Sequence, residues 1–227
     1  MAEITVCLLN WKRPENLPLV LEGIASQSVE TRVFLWDNGQ KPIEDPRIDW
    51  RIRSSANMAC WPRWFMAVHA DTPWVCSLDD DLRFGDPHVL RDGILAAEGL
   101  EADQLVGPFG RNLSPGLSYS EGSNVWGPED GEEEDWNVDI IKGRHIVART
   151  ETLKDRLPLF CSTPTEDDIA VCGLVAEGRR HHHVRPHTYL HRLQRFQELP
   201  APHAIWERPG HLSRRDEVAR RYFQASD

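Results

Sequence analysis

Asp79, Asp80 and Asp81 follow one another directly behind a short apolar run that ends at Leu78. If that run is a buried strand, the backbone of the three is pinned and their carboxylates cannot spread far apart. Something positive is then required: a divalent metal, an arginine cluster, or bulk water over an exposed loop. Hard oxygen donors on one side of a site, with the rest left open, suit Mg²⁺ or Mn²⁺ shared with a substrate diphosphate, and no Cys joins the cluster. A second acidic group opens "TEDDIAVCGLVAEG". There Thr163 as N-cap, Pro164 at the first helical position and Glu166 at the third predict a capping box. Asp167 and Asp168 follow in the first turn, where the helix dipole favours carboxylates by a few tenths to about 1 kcal/mol.

The basic and aromatic residues offer further chemistry. "RRHHHVRPHTYLHRLQRF" sets His183, His187 and His191 four residues apart, the spacing that aligns imidazoles for zinc on a helix. Pro186 removes a backbone donor and spoils that alignment, which argues against zinc. Arg192, Arg195, Arg208, Arg214 and Arg215 could close over a diphosphate, against a plain reading as solvated basic surface. Trp11, Trp36 and Trp74 read as core or strand-end residues, while Trp61, Trp64, Trp126 and Trp136 could form a sugar-stacking platform, with a core role the default for each.

Strand and helix signals alternate through the first half, the pattern of a mostly parallel sheet covered by helices. Residues 4–9, 33–36 and 74–78 read as strands, with a short one near 50–52. Residues 14–26, 63–70 and 86–97 read as helices, the first with Leu17, Val20, Leu21 and Ile24 on one face and the last with Asp86 as N-cap and Pro87 after it. Short strands at 105–109 and 138–141 flank a polar segment whose run Glu132 to Asp135 reads as a solvated loop. A last helix is expected from Ser213.

The 227 residues, 40% hydrophobic, suffice for one large domain. Five cysteines (Cys7, Cys60, Cys76, Cys161 and Cys172) show no C-x-x-C spacing and read as buried thiols in a reducing compartment. The N-terminus enters a strand without a basic n-region, and no apolar run is long enough to span a membrane, so a cytoplasmic protein is expected. The net charge of −10 argues against a general nucleic-acid coat, although residues 178–221 carry ten Arg against four acidic residues.

The chain resembles the GT-A glycosyltransferases, which use nucleotide sugars and carry a D-x-D motif after a central strand. The likeness rests on "VCLLNWKRPENLPLVLEGI", "VFLWDNG", "CSLDDDL" and "TEDDIAVCGLVAEG". Within that fold it is most similar to the exostosin-type transferases, through Asn10 to Arg13, Trp36 to Asn38, the Leu78 to Asp81 triplet, "LVGPFGR" and Asp167-Asp168-Ile169-Ala170. It covers roughly residues 4–178 and leaves the C-terminal fifty or so unplaced. The resemblance implies an α/β fold of GT-A type, a Rossmann-like, mostly parallel sheet flanked by helices in a single domain over 1–227. Its nucleotide-sugar half would span about 1–100 and its acceptor half and tail about 101–227.

Carried over by position, the resemblance assigns Asn10, Arg13, Asp37, Asn57 and Arg63 to the nucleotide and diphosphate, although "NMACWPR" departs from the family's spacing around Asn57. Asp79 and Asp80 would hold ribose and donor sugar, and Asp81 would bind Mn²⁺ or Mg²⁺. Further metal ligands could come from Asp79, His187 or His191, with His203 and His211 also open, because a later histidine completes the shell in the wider fold. Asp167 or Asp168 would face the reacting carbon, as general base if configuration inverts, or orienting the acceptor if it is retained as the exostosin likeness implies. The expected function is transfer of a hexose or N-acetylhexosamine from a UDP-sugar to a hydroxyl acceptor. A nucleotidyltransferase fits less well because residues 10–13 lack the Gly-rich phosphate loop. A metal-dependent carbohydrate or nucleic-acid binding module, or a transferase acting on a hydroxylated nucleic-acid base, are the alternatives.

Overall fold

The structure, a computed structural model, describes residues 3–39, 42–126, 136–180, 182–184, 195–202 and 205–223. Arg192, His187, His191, His203 and the acidic run 132–135 lie outside these residues, as do the side chains of His183, Trp126 and Trp136. In chain order the strands are β1 (Ile4–Asn10), β2 (Thr31–Asp37), β3 (Trp50–Arg53), β4 (Trp74–Leu78), β5 (Leu82–Phe84), β6 (Val106–Gly107) and β7 (Phe109–Asn112). They continue with β8 (Ser123–Trp126), β9 (Trp136–Val138), β10 (Ile140–Ile141), β11 (His145–Arg149), β12 (His182–Val184) and β13 (Phe196–Glu198). The helices are α1 (Leu17–Ala25), α2 (Pro62–Ala67), α3 (Val89–Glu98), α4 (Thr150–Arg156), α5 (Asp167–Val175) and α6 (His211–Tyr222).

Eight strands form one mostly parallel sheet in the order β3-β2-β1-β4-β11-β6-β12-β9, with β11 and β9 antiparallel to their neighbours. Alternate residues of a strand point to opposite faces, and both faces here are apolar because both are covered. Ile4, Val6 and Leu8 of β1, with Val33, Leu35, Cys76 and Leu78, pack beneath α1 and α3. Cys7, Phe34 and Val75 pack on the other face against α2, α4, α5 and α6. Gly173 of α5 lets α6 come close: a Cβ there would lie 2.6 Å from that of Tyr222. The five cysteines are free, and all but Cys161 are buried. Among the described residues no helix is long and apolar enough to cross a membrane.

Helix boundaries depart from expectation where tertiary hydrogen bonds compete. α1 starts at Leu17 rather than Pro14, because a helix from Pro14 would need an N–H that Pro18 lacks. The capping box at Thr163 does not form: the Pro164 carbonyl accepts the N–H groups of Cys60 and Trp61 at 2.8 and 3.0 Å. This holds the preceding turn out of the helix, and α5 begins at Asp167 after Glu166. Likewise Pro87 gives its carbonyl to Ser28 N–H, Asp86 accepts from His88 N–H at 2.7 Å, and α3 starts at Val89. α6 begins at His211, ahead of Ser213, after Gly210 at φ 72°. Strand β11 and helix α4 were not anticipated from the sequence.

Candidate active site

Parallel register sets Asn10, the last residue of β1, beside Asp37, and Leu8 beside Leu78. The strand order turns at β1, so the loops after β1 and β4 diverge at the carboxyl edge, where open α/β sheets bind ligands. Antiparallel β11 pairs His145 with Leu78 and thereby delivers the turn 142–144 to the same edge. A cleft of about 540 Å³ opens there, lined by Arg13, Asn57, Arg63, the triplet, Asp167 and Asp168.

Arginines answer the repulsion within the triplet. Arg13 Nη1 donates to Asp80 Oδ1 at 2.7 Å and to Asp81 Oδ2 at 2.8 Å, while Asp79 Oδ1 accepts from Arg63 Nη1 at 2.7 Å. Burial pushes the Asp80 carboxyl up to about 7 despite Arg13, with Asp79 and Asp81 adding to the rise. Burial and then Asp79 push Asp81 up as well. One oxygen, Asp81 Oδ1, is shielded from solvent without a hydrogen-bond partner. Such an acceptor suits a hard cation, so Asp81 fits the metal role expected of it. Among the described residues no three His, Cys, Asp or Glu side chains converge as a metal centre.

Arg63 ties the triplet to α5. Its Nη1 also donates to Ser77 Oγ at 3.1 Å and the Gly143 carbonyl at 2.9 Å, and its Nε stands 3.2 Å from Asp167 Oδ2. Trp64 Nε1 donates to the same Asp167 oxygen at 2.7 Å. Burial nevertheless raises Asp167 to about 6, partly offset by Arg63 and reinforced by Asp168. Burial also opposes ionisation of Asp168, but Arg215 Nη2 at 2.6 Å and the N–H groups of Gly143 and Ile169 outweigh it and hold that carboxyl low. Two adjacent acids are thus driven apart, the arrangement that separates a proton acceptor from a fixed charge.

No protein-family model and no curated protein matches the chain. Solved structures do resemble it. One is the mannosyltransferase PcManGT from Pyrobaculum calidifontis in complex with GDP-Man and Mn²⁺, at 12% identity and TM-score 0.57 over 82% of this chain and 55% of that one. Another is S. aureus TarS 1–349, at 14% identity and TM-score 0.53 over 80% and 57%. S. aureus TarS is similar at 14% identity and TM-score 0.52, over 80% of this chain and 35% of that one. The chain has a glycosyltransferase fold. It spans little more than half of the first two chains and about a third of the other.

Within this glycosyltransferase fold, two expected nucleotide ligands lie elsewhere. Asn10 and Asp37 are buried outside the lining of the cleft, Asn10 Nδ2 donating to Asp37 Oδ1 at 2.8 Å. Asp37 also accepts the N–H groups of Gly39 and Ile43, so the pair closes the turn after β2. Asn57 does line the cleft, and its Oδ1 accepts Ala59 N–H at 2.9 Å. That turn leaves Ala59 at φ 60°. An L-residue there costs roughly 1–2 kcal/mol, and the extra chain entropy of glycine returns about 0.5–1 kcal/mol. Ala59→Gly is therefore expected to raise stability by about 0.5–1 kcal/mol, read as a higher urea midpoint; a lower midpoint would contradict it.

Of the tryptophans weighed for a sugar-stacking platform, Trp61 and Trp64 take the default core role. Both are buried, their indole N–H groups given to the Leu159 carbonyl and to Asp167. Among the described residues the tryptophan that lines the cleft is Trp11, with Lys12 Nζ 4.5 Å and the Arg208 guanidinium 5.4 Å from its ring. Of the tail arginines, Arg208 and Arg215 reach the cleft. Arg195 pairs with Asp92 at 2.6 Å, and Arg214 with Glu166 at 3.5 Å. Sequence reasoning missed Lys142, Arg144 and Tyr119, which line the cleft because β11 and α6 bring their surroundings there. It also missed the strap at 199–202, where Leu199 N–H bonds the Asp81 carbonyl and the Pro200 and Pro202 carbonyls accept from Asn16 and Arg13.

Proposed function

We propose that the protein is a cytoplasmic, metal-dependent glycosyltransferase that moves a hexose or N-acetylhexosamine from a UDP-sugar to a hydroxyl acceptor. The observation that carries this reading is the meeting, in one cleft at the carboxyl edge of β1 and β4, of the Asp79–Asp81 triplet with Asp167, a buried carboxyl poised at about 6. Residues 1–100 supply most of the donor side, and α5 and α6 the acceptor side. Asp81, with Asp79, would hold Mn²⁺ or Mg²⁺, and Arg13 and Arg63 stand beside it to meet the diphosphate. A divalent ion there would offset the negative charge that gathers on a departing nucleoside diphosphate.

Asp167 takes the proton of the acceptor hydroxyl as its oxygen attacks the sugar carbon, and the carbon–diphosphate bond breaks on the opposite face. Asp168, locked to Arg215, remains a fixed charge. This division of roles supports inversion, whereas the exostosin likeness implies retention; the anomeric configuration of the product distinguishes them. Uridine rests on the motifs, and the GDP-Man in the similarly folded mannosyltransferase makes guanosine the competitor to include.

Thermal melting against nucleoside diphosphates, with Mn²⁺ and after chelation, tests the reading. A ligand at 100 times its dissociation constant adds about 2.7 kcal/mol. The wild type is expected to gain stability with UDP and Mn²⁺ together, and Asp81→Ala to lose that gain. No shift with any nucleoside diphosphate would sink the transferase reading in favour of a binding module.

A further inference from the structure

One wall of the cleft gathers positive charge in a chain whose net charge is −10. Lys142, Arg144 and Arg215 line it, and beside them burial and the Arg215 charge disfavour protonation of His211, leaving a neutral imidazole. Burial, and then the charges of Arg111, Arg215 and Arg144 against that of Asp168, bring the Lys142 ammonium down to about 8. Nearby acids are already engaged: Asp168 by Arg215, and Glu198 by Arg144 at 3.0 Å.

Helix α6 adds to the imbalance. Its twelve residues start in the cleft at His211, with no side-chain cap and no acidic residue in the first turn, and Arg214 and Arg215 follow. The positive end of a helix dipole among cations is unfavourable unless an anion comes between them. Two buried nitrogens also have no hydrogen-bond partner: Nε of Arg215, a residue 6% exposed, and Nδ1 of His211. Both residues line the cleft.

We infer that this wall binds a phosphate-class anionic group carried by the acceptor. The inference rests on the transferase reading, in which the donor diphosphate is met at the triplet. Lys142 and Arg215 instead adjoin Asp168, next to the residue that receives the acceptor's proton, while Arg144 lies toward Asp81. Guanidinium and ammonium groups give phosphate oxygens charge-assisted hydrogen bonds of about 1.5–3 kcal/mol each, so loss of one should cost roughly tenfold or more in affinity.

The test is calorimetric titration of inorganic phosphate and glucose 6-phosphate, with glucose as neutral control, into protein saturated with UDP and Mn²⁺. Lys142→Gln and Lys142→Arg are titrated alongside. Phosphate and glucose 6-phosphate are expected to bind the UDP-loaded protein, and glucose not to bind. Lys142→Gln should weaken that binding at least about tenfold, Lys142→Arg should keep it, and both variants should keep the UDP melting shift, which also reports that they fold. Displacement of UDP by phosphate, or loss of the UDP shift in Lys142→Gln, would assign the anion to the donor and overturn the inference. Failure of both anions to bind the UDP-loaded protein would overturn it while leaving the transferase reading intact. Phosphate binding to a protein that takes up no nucleotide would overturn both.

Discussion

Asp167→Asn is expected to lower turnover by about 10²–10⁴-fold while leaving the UDP melting shift in place. The range is what a positioned proton acceptor contributes. Asparagine keeps the size of the side chain and an oxygen to accept from Trp64 Nε1, so the loss should fall on kcat. The pH profile gives a second readout. A base must be ionised to act, and burial holds the Asp167 carboxyl at about 6. Activity of the wild type should therefore fall as pH drops through about 6 and level off above it. The variant's residual activity should lack that inflection. Full turnover in Asp167→Asn would remove Asp167 from the chemistry and leave retention as the stronger reading.

Arg63→Ala is expected to cost about 3–5 kcal/mol of stability, the range for removing one partner of a buried ion pair. Arg63 is 5% exposed, and its guanidinium touches the end of β4, the triplet, the 142–144 turn and α5. Its loss strands Asp79 and, more deeply, Asp167. Urea denaturation reads the cost directly. The double variant Arg63→Ala/Asp167→Asn should recover part of it, because the second change removes the uncompensated charge. A loss below about 1 kcal/mol, the scale of an exposed pair, would mean that water reaches the site and that the carboxyl of Asp167 is not held by burial.

Much of this fold can be read from the order of residue types. The continuous apolar runs of β1, β2 and β4 cannot face water on either side, so a doubly covered parallel sheet follows from them. The triplet's place after β4 follows too, since the run before it is too short for anything but a strand. The sequence could not say what neutralises those aspartates. Arg13 and Arg63, expected to serve the nucleotide, also hold the carboxylates of the triplet, which depends on where the β1 loop and α2 come to rest. Asn10 and Asp37 look like ligands by motif, and register makes them hydrogen-bond partners of each other. Thr163 has the local signature of a helix start, overridden when Cys60 and Trp61 take the Pro164 carbonyl. Lys142 and Arg144 precede a strand, β11, whose short apolar run gave no periodicity to mark it.

The strap at 199–202 has a consequence for biosynthesis. Arg13 donates to the carbonyl of Pro202, a residue 189 positions later in the chain, and Asp168 is held by Arg215, 47 positions later. At roughly 5–20 residues per second, a ribosome needs about 10–40 s to get from one strap partner to the other. Once β4 has been made, β1, β2 and β4 can pair while the triplet still lacks its roof, and the carboxylates of α5 wait longer still, because Arg215 follows Pro202 in the chain. A stalled nascent chain released before α6 would thus carry a formed sheet and an unfinished cleft, protected from proteolysis at its centre and unable to retain a nucleotide.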